Sequence, residues 1–129
     1  MEHLHALARE KKLDRGFERR LGVVAYHAPC HLRAQNVGFP AARLLEAAGA
    51  EVVLVDACSG VDGTWGVQAR FHEASLGVAS KMIARIREAG ADHVATDCPL
   101  SALRIREALG IEARHPVVLL RDAYGGTAP

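Results

Sequence analysis

The 129-residue sequence predicts an α/β protein, with a parallel sheet of about four strands, helices on both faces and a further helix ahead of the first strand. Two observations carry that prediction. Short runs rich in β-branched residues alternate with stretches whose apolar residues recur at helical spacing. The run from Glu51 to Asp56 is almost continuously apolar, as in a strand covered on both faces. Strands alternating with helices imply right-handed crossovers and a parallel sheet.

Residues 2–20 read as a charged helix or linker, with Leu4, Leu7, Leu13 and Phe17 on its apolar side. Gly22 stops it. Val23-Val24-Ala25-Tyr26 then forms a buried strand that ends in the turn His27-Ala28-Pro29-Cys30-His31. Pro40 suits a first helical turn, Leu44, Leu45 and Ala48 continue at helical spacing, and Gly49 closes that helix. The second strand, Glu51 to Asp56, stops at Ala57-Cys58-Ser59-Gly60. A glycine-bearing loop follows, Gly60-Val61-Asp62-Gly63-Thr64-Trp65-Gly66. The longest helix is predicted over 68–88, with Leu76, Ala79, Ile83 and Ile86 inward and Gly90 beyond its end. His93 to Thr96 forms the third strand and leads into Asp97-Cys98-Pro99. A helix bearing Leu103, Ile105 and Leu109 ends at Gly110. Val117 to Leu120 is predicted as the fourth strand, with a short helix at 121–124. The domain proper is thus 21–124, and residues 125–129 are an expected disordered tail.

Composition narrows the function. Lys and Arg number 16 against 15 Asp and Glu, a net charge of +1, which gives no support to nucleic-acid binding. No apolar run reaches the ~18 residues of a spanning helix. The first twenty residues are too charged for a secretory leader, so a cytoplasmic chain is expected. Its three cysteines are an odd number, which excludes a closed disulfide framework and predicts reduced thiols.

Cys30, Cys58 and Cys98 each follow a predicted strand directly. In a parallel sheet the strand C-termini share one edge, where open α/β sheets place their ligands. Core cysteines belong mid-strand or on inner helix faces; convergent thiols at one edge suit a soft metal or an iron–sulfur cluster. His27 and His31 flank the first thiol and are candidate nitrogen ligands, or else turn residues bonded to backbone. Gly60, Gly63, Thr64 and Trp65 belong to a loop without the Lys and Ser/Thr ending of a P-loop, and are read as lining such a centre. Trp65 is expected there as a lid or packing residue. Asp56, Asp62 and Asp97 lie near the same edge, but as hard ligands they suit thiolate company less well. A competing reading makes Cys58 a nucleophile activated by His27 or His31. It leaves the other two thiols unexplained.

The motifs His27-Ala28-Pro29-Cys30-His31-Leu32, Cys58-Ser59-Gly60-x-x-Gly63-Thr64-Trp65-Gly66, Thr96-Asp97-Cys98-Pro99 and His115-Pro116 resemble the cysteine-rich CCG domain. That family occurs in the B subunit of heterodisulfide reductase, the iron–sulfur subunit of glycolate oxidase and the C subunit of anaerobic glycerol-3-phosphate dehydrogenase. This chain resembles the C-terminal of the two repeats that such proteins carry. The resemblance implies electron transfer through an iron–sulfur cluster, with a flavin-bearing dehydrogenase subunit or other redox partner and possible peripheral membrane association through that partner. The family pattern has five thiolates; here Ser59 and Ser101 stand at two of those positions. Three cysteines remain compatible with a 4Fe–4S centre whose fourth ligand is His, Asp, Ser or an exogenous molecule. The alternatives to that leading reading are zinc held by three Cys and one His, and then a metal-free interaction domain.

Overall fold

The computed structural model describes residues 1–126. Its elements are α1 (Glu2–Arg9), β1 (Val23–His27), α2 (Cys30–Ala34), α3 (Pro40–Ala47), β2 (Glu51–Val55), α4 (His72–Glu88), β3 (His93–Thr96), α5 (Pro99–Leu109), β4 (Ala113–Arg114) and α6 (Pro116–Ala123), with 3-10 turns at Trp65–Val67 and Ala69–Phe71. The strands form one four-stranded parallel sheet in the order β2-β1-β3-β4. The fold class is therefore the predicted one.

Alternation along β1 divides the core in two. Val24 and Tyr26 face α3 and α6, joining Leu44, Leu45, Leu119 and Leu120 in one apolar cluster. Ala25 faces the other way, with Val55 of β2, Ala79, Met82 and Ile86 of α4 and Ile105 of α5. Both faces of the central strand are covered, which is why its sequence shows no polar alternation. Helix α4 buries Ser75, Ala79, Met82 and Ile86; the predicted Leu76 and Ile83 flank that stripe half-buried. The chain runs from β1 to β2 across one face and from β2 to β3 across the other. The loops after β2, β1 and β3 therefore lie side by side.

The structure differs from the sequence prediction at several elements, and the segment read as a turn after β1 carries the short helix α2 from Cys30. The N-terminal helix stops at Arg9 rather than near residue 20. Lys11 takes a left-handed conformation (φ 56°), with Lys12 N–H on the Leu7 carbonyl and Lys11 N–H on the Ala8 carbonyl, a Schellman closure made without glycine. The long helix begins at His72, because residues 65–71 wind into two 3-10 turns joined by the stacking of Trp65 on Phe71, 5.2 Å apart. The predicted fourth strand at Val117–Leu120 is helical, and the fourth strand is Ala113–Arg114 instead. Pro116 occupies the first turn of α6, and the His115 ring Nδ1 accepts the Val117 N–H at 3.2 Å, capping the helix. Leu119, Leu120 and Ala123 then meet the sheet at helical spacing. A short apolar run fits a strand or a buried helix equally well, and the cap decides it here. Finally, Gly125 and Gly126 belong to a turn, their N–H groups bonded to the Asp122 and Arg121 carbonyls. The rest of the expected disordered tail, 127–129, lies outside the described residues.

Candidate metal centre

Strand geometry places the three cysteines at one edge. In register, His27 of β1 lies beside Val55 of β2 and Thr96 of β3. Cys30 opens α2 three residues after His27, Cys58 lies three residues beyond Val55, and Cys98 is the N-cap of α5 two residues beyond Thr96. All three are free thiols; Cys30 and Cys58 are exposed and Cys98 is half-buried.

His27 ties these loops together. Its ring is 1% exposed, with Nε2 3.0 Å from the Ala57 carbonyl and Nδ1 3.1 Å from Thr96 Oγ1. A carbonyl only accepts, so Nε2 carries the proton, and Nδ1 accepts from the threonine hydroxyl. Thr96 Oγ1 in turn accepts the Cys98 N–H at 3.3 Å. One imidazole thus links the residue before Cys58 to the backbone of Cys98. Burial pushes its pKa down, against a smaller upward pull from the Ala57 carbonyl, and holds the ring neutral. Beside it, the Tyr26 hydroxyl donates to Asp97, whose other carboxylate oxygen lies 3.7 Å from His115 Nε2. Burial, and then the Asp97 carboxylate, push the Tyr26 phenol well above its ordinary range.

Cys30 and Cys58 share a cavity of about 490 Å³ with His27, Arg33, Gly60 and Trp65. Arg33 is paired there with Asp56. The Gly60 N–H points at Cys58 Sγ, 3.4 Å away. Gly60 has φ +72°, and a Cβ on it would lie 2.1 Å from the Ser75 carbonyl oxygen, so no other residue fits without moving the backbone of α4. The Ser75 hydroxyl donates to the Gly60 carbonyl at 2.7 Å. Ser59 and Ser101 are buried against each other, with Ser101 Oγ donating to Ser59 Oγ at 3.0 Å.

The structure thus brings Cys30, Cys58, His27, Gly60 and Trp65 around one cavity. Cys98 stands at the same sheet edge without lining it. Gly63 and Thr64 are exposed at the loop tip and do not line it either. His31 is exposed on α2 and close enough to Glu2 to help lower that carboxyl's pKa, after the stronger effects of Glu2's own backbone and the amino terminus. Among the described residues, no three His, Cys, Asp or Glu side chains are grouped closely enough to hold a single metal ion. Sequence reasoning missed Ser75 and Arg104, which brace the glycine loop from α4 and α5. Their only outward sign was a polar residue at a helix position facing the core.

A doubly covered parallel sheet with free thiols collected at its carboxyl edge defines a cysteine-rich α/β domain. Residues 24–115 match the CCG cysteine-rich domain family, and the chain belongs to that family. Over 102 residues it is 31% identical to the C subunit of the anaerobic glycerol-3-phosphate dehydrogenase of Escherichia coli strain K12, and equally so to that protein of E. coli O157:H7. The match covers 78% of this chain and 26% of each relative, so the chain spans about a quarter of the length of these relatives.

Proposed function

We propose that this domain binds an iron–sulfur cluster of the 4Fe–4S type through Cys30, Cys58 and Cys98, and that it passes electrons within a dehydrogenase or reductase complex. The observation that carries this reading is the arrival of three free thiols at the ends of three adjacent strands. The donors are soft, as iron–sulfur centres require. A single zinc ion needs every ligand within about 2.0–2.3 Å of one point, a tighter grouping than the described residues present. In a cluster, by contrast, each thiolate binds its own iron. When bound, such a centre supplies one-electron transfer.

The protein's own groups hold and tune the site. His27 acts as a brace rather than as the fourth ligand, because both its ring nitrogens already have protein partners. Ser59 and Ser101 satisfy each other. His31 does not line the cavity, and we assign the fourth position to an exogenous ligand. The Gly60 N–H places positive dipole on Cys58 sulfur, favouring the more negative, reduced state. The relatives are named as a dehydrogenase subunit, which supports another subunit of such a complex as the redox partner, and we assign that partner a flavin. No helix among the described residues is long and apolar enough to cross a membrane, and we assign any membrane contact to that partner.

The test is the iron, zinc and acid-labile sulfide content of protein purified without oxygen. Iron and sulfide in equal amounts, approaching about four per chain, are the expected result, with the visible absorbance lost in Cys58→Ser while the far-UV spectrum persists. Zinc alone, or an unchanged visible spectrum in that variant, would overturn the proposal.

A further inference from the structure

Arg104 of α5 is 2% exposed, an unusual depth for a guanidinium. Its Nη1 reaches Glu107 at 2.7 Å, and that carboxylate stands half-exposed at the surface. The buried arm of the fork goes elsewhere: Nη2 donates to the Gly66 carbonyl at 2.8 Å and to Ser75 Oγ at 2.6 Å. Nε has no partner and no contact with solvent. Burying a guanidinium, with one N–H left unsatisfied, is unfavourable against an apolar residue of similar volume. The packing of α5 does not call for it, since Ile105 already fills the core beside it. One bond of the buried arm holds the far end of the loop after Cys58, at Gly66, and the other holds Ser75 of α4, which in turn grips Gly60.

That closure is tight. A Cβ on Gly66 would lie 2.2 Å from the Gly60 carbonyl oxygen and 2.6 Å from Ser75 Oγ, so the two ends of the loop meet beneath Arg104. Ser75 accepts from Arg104 and donates to Gly60 O, while Gly60 N–H faces Cys58 Sγ. The guanidinium is thus tied through Ser75 to the Gly60 carbonyl, and the N–H of that same glycine, on the preceding peptide unit, faces the thiol. We propose that Arg104 is the positioning residue for Cys58. It fixes the 60–66 loop so that the Gly60 N–H lies on the sulfur, and its charge adds to that dipole. The inference deepens the thiolate-site reading and rests on it only for what Cys58 binds.

The experiment uses the full chain with Arg104→Met, Arg104→Lys and Ser75→Ala. In reduced, metal-free protein, iodoacetamide labelling is followed at each cysteine by mass spectrometry. Negative charge on sulfur makes the nucleophile, so Cys58 in Arg104→Met should react about threefold more slowly relative to Cys30 in the same molecule. Ser75→Ala should shift the ratio the same way, and Arg104→Lys should recover most of it. An unchanged Cys58 to Cys30 ratio would overturn the proposal. So would a parallel change at all three cysteines that tracks loss of stability, since that is the mark of a merely structural residue. In iron-loaded protein, Arg104→Met should make the potential more negative by about tenfold in the one-electron equilibrium, about 59 mV; an unmoved potential counts against the charge effect. If wild type takes up no iron, the cluster reading fails, and the labelling result still decides the role of Arg104.

Discussion

At His27 the fold has taken a titratable ring out of water and made it a hydrogen-bonded brace. Because burial lowers its pKa in the folded state, the unfolded chain binds a proton first as pH falls. Stability is therefore full above the ordinary histidine value of about 6.5 and declines below it, by at most about 1.4 kcal/mol per pH unit, until the folded value is reached. Thermal melts between pH 7.5 and 5.5 should show that decline, flattened in His27→Gln; equal slopes in the two proteins would refute it. Ser59 and Ser101 offer a second check. Either single change to Ala leaves a buried hydroxyl without its partner and should cost about 1–2 kcal/mol in urea unfolding. The double variant should cost less than the sum, because both unsatisfied groups disappear together. The sequence marked these serines as departures from a thiolate pattern, but not as partners in one hydrogen bond. That pairing depends on α5 lying against the loop after β2.

Among the elements, termination decides more than propensity. Helix α1 ends on Lys11 in a left-handed conformation, a shape that disfavours side chains bearing a Cβ. Lys11→Gly should stabilise the protein by about 0.5–1 kcal/mol, seen as a raised melting temperature; a lowered one would mean that the lysine side chain matters more than the backbone strain. Gly49, Gly90 and Gly110, by contrast, announced the ends of their helices in advance, and each lies at or just past a helix end. The α6 segment reads as a strand because Val117-Val118-Leu119-Leu120 has no period long enough to separate strand from helix. His115 and Pro116 settle the matter through a ring-to-backbone cap, which composition does not reveal.

Over the whole molecule, two apolar clusters share one sheet, and the thiol edge depends on both. Leu45→Ala empties the cluster under α3 and α6, and Met82→Ala the one under α4 and α5. Each should cost about 2–5 kcal/mol. Because the two clusters meet across β1, unfolding followed by far-UV ellipticity and by Trp65 fluorescence should remain one transition in both variants. Two separated transitions would show that the faces melt independently. Trp65 is the sole tryptophan and lines the Cys30–Cys58 cavity, so its emission reports the site directly.

Fold class, three of the four strands and the collection of Cys30, Cys58 and Cys98 at one edge are legible in the residue order alone. These follow from hydrophobic period and from the rule that parallel strands end together. Residue order also places Gly60 and Trp65 in the loop that faces that edge. Packing alone reveals that His27 is held by protein partners and that Cys98 stands outside the cavity holding the other two thiols. The same is true of Ser59 closing on Ser101, and of Arg104 bracing the glycine loop. Each of these is a contact between residues far apart in the chain, fixed by distance and direction after the helices have packed. Local pattern specifies what an element is, and packing specifies which polar atoms are left free to do chemistry.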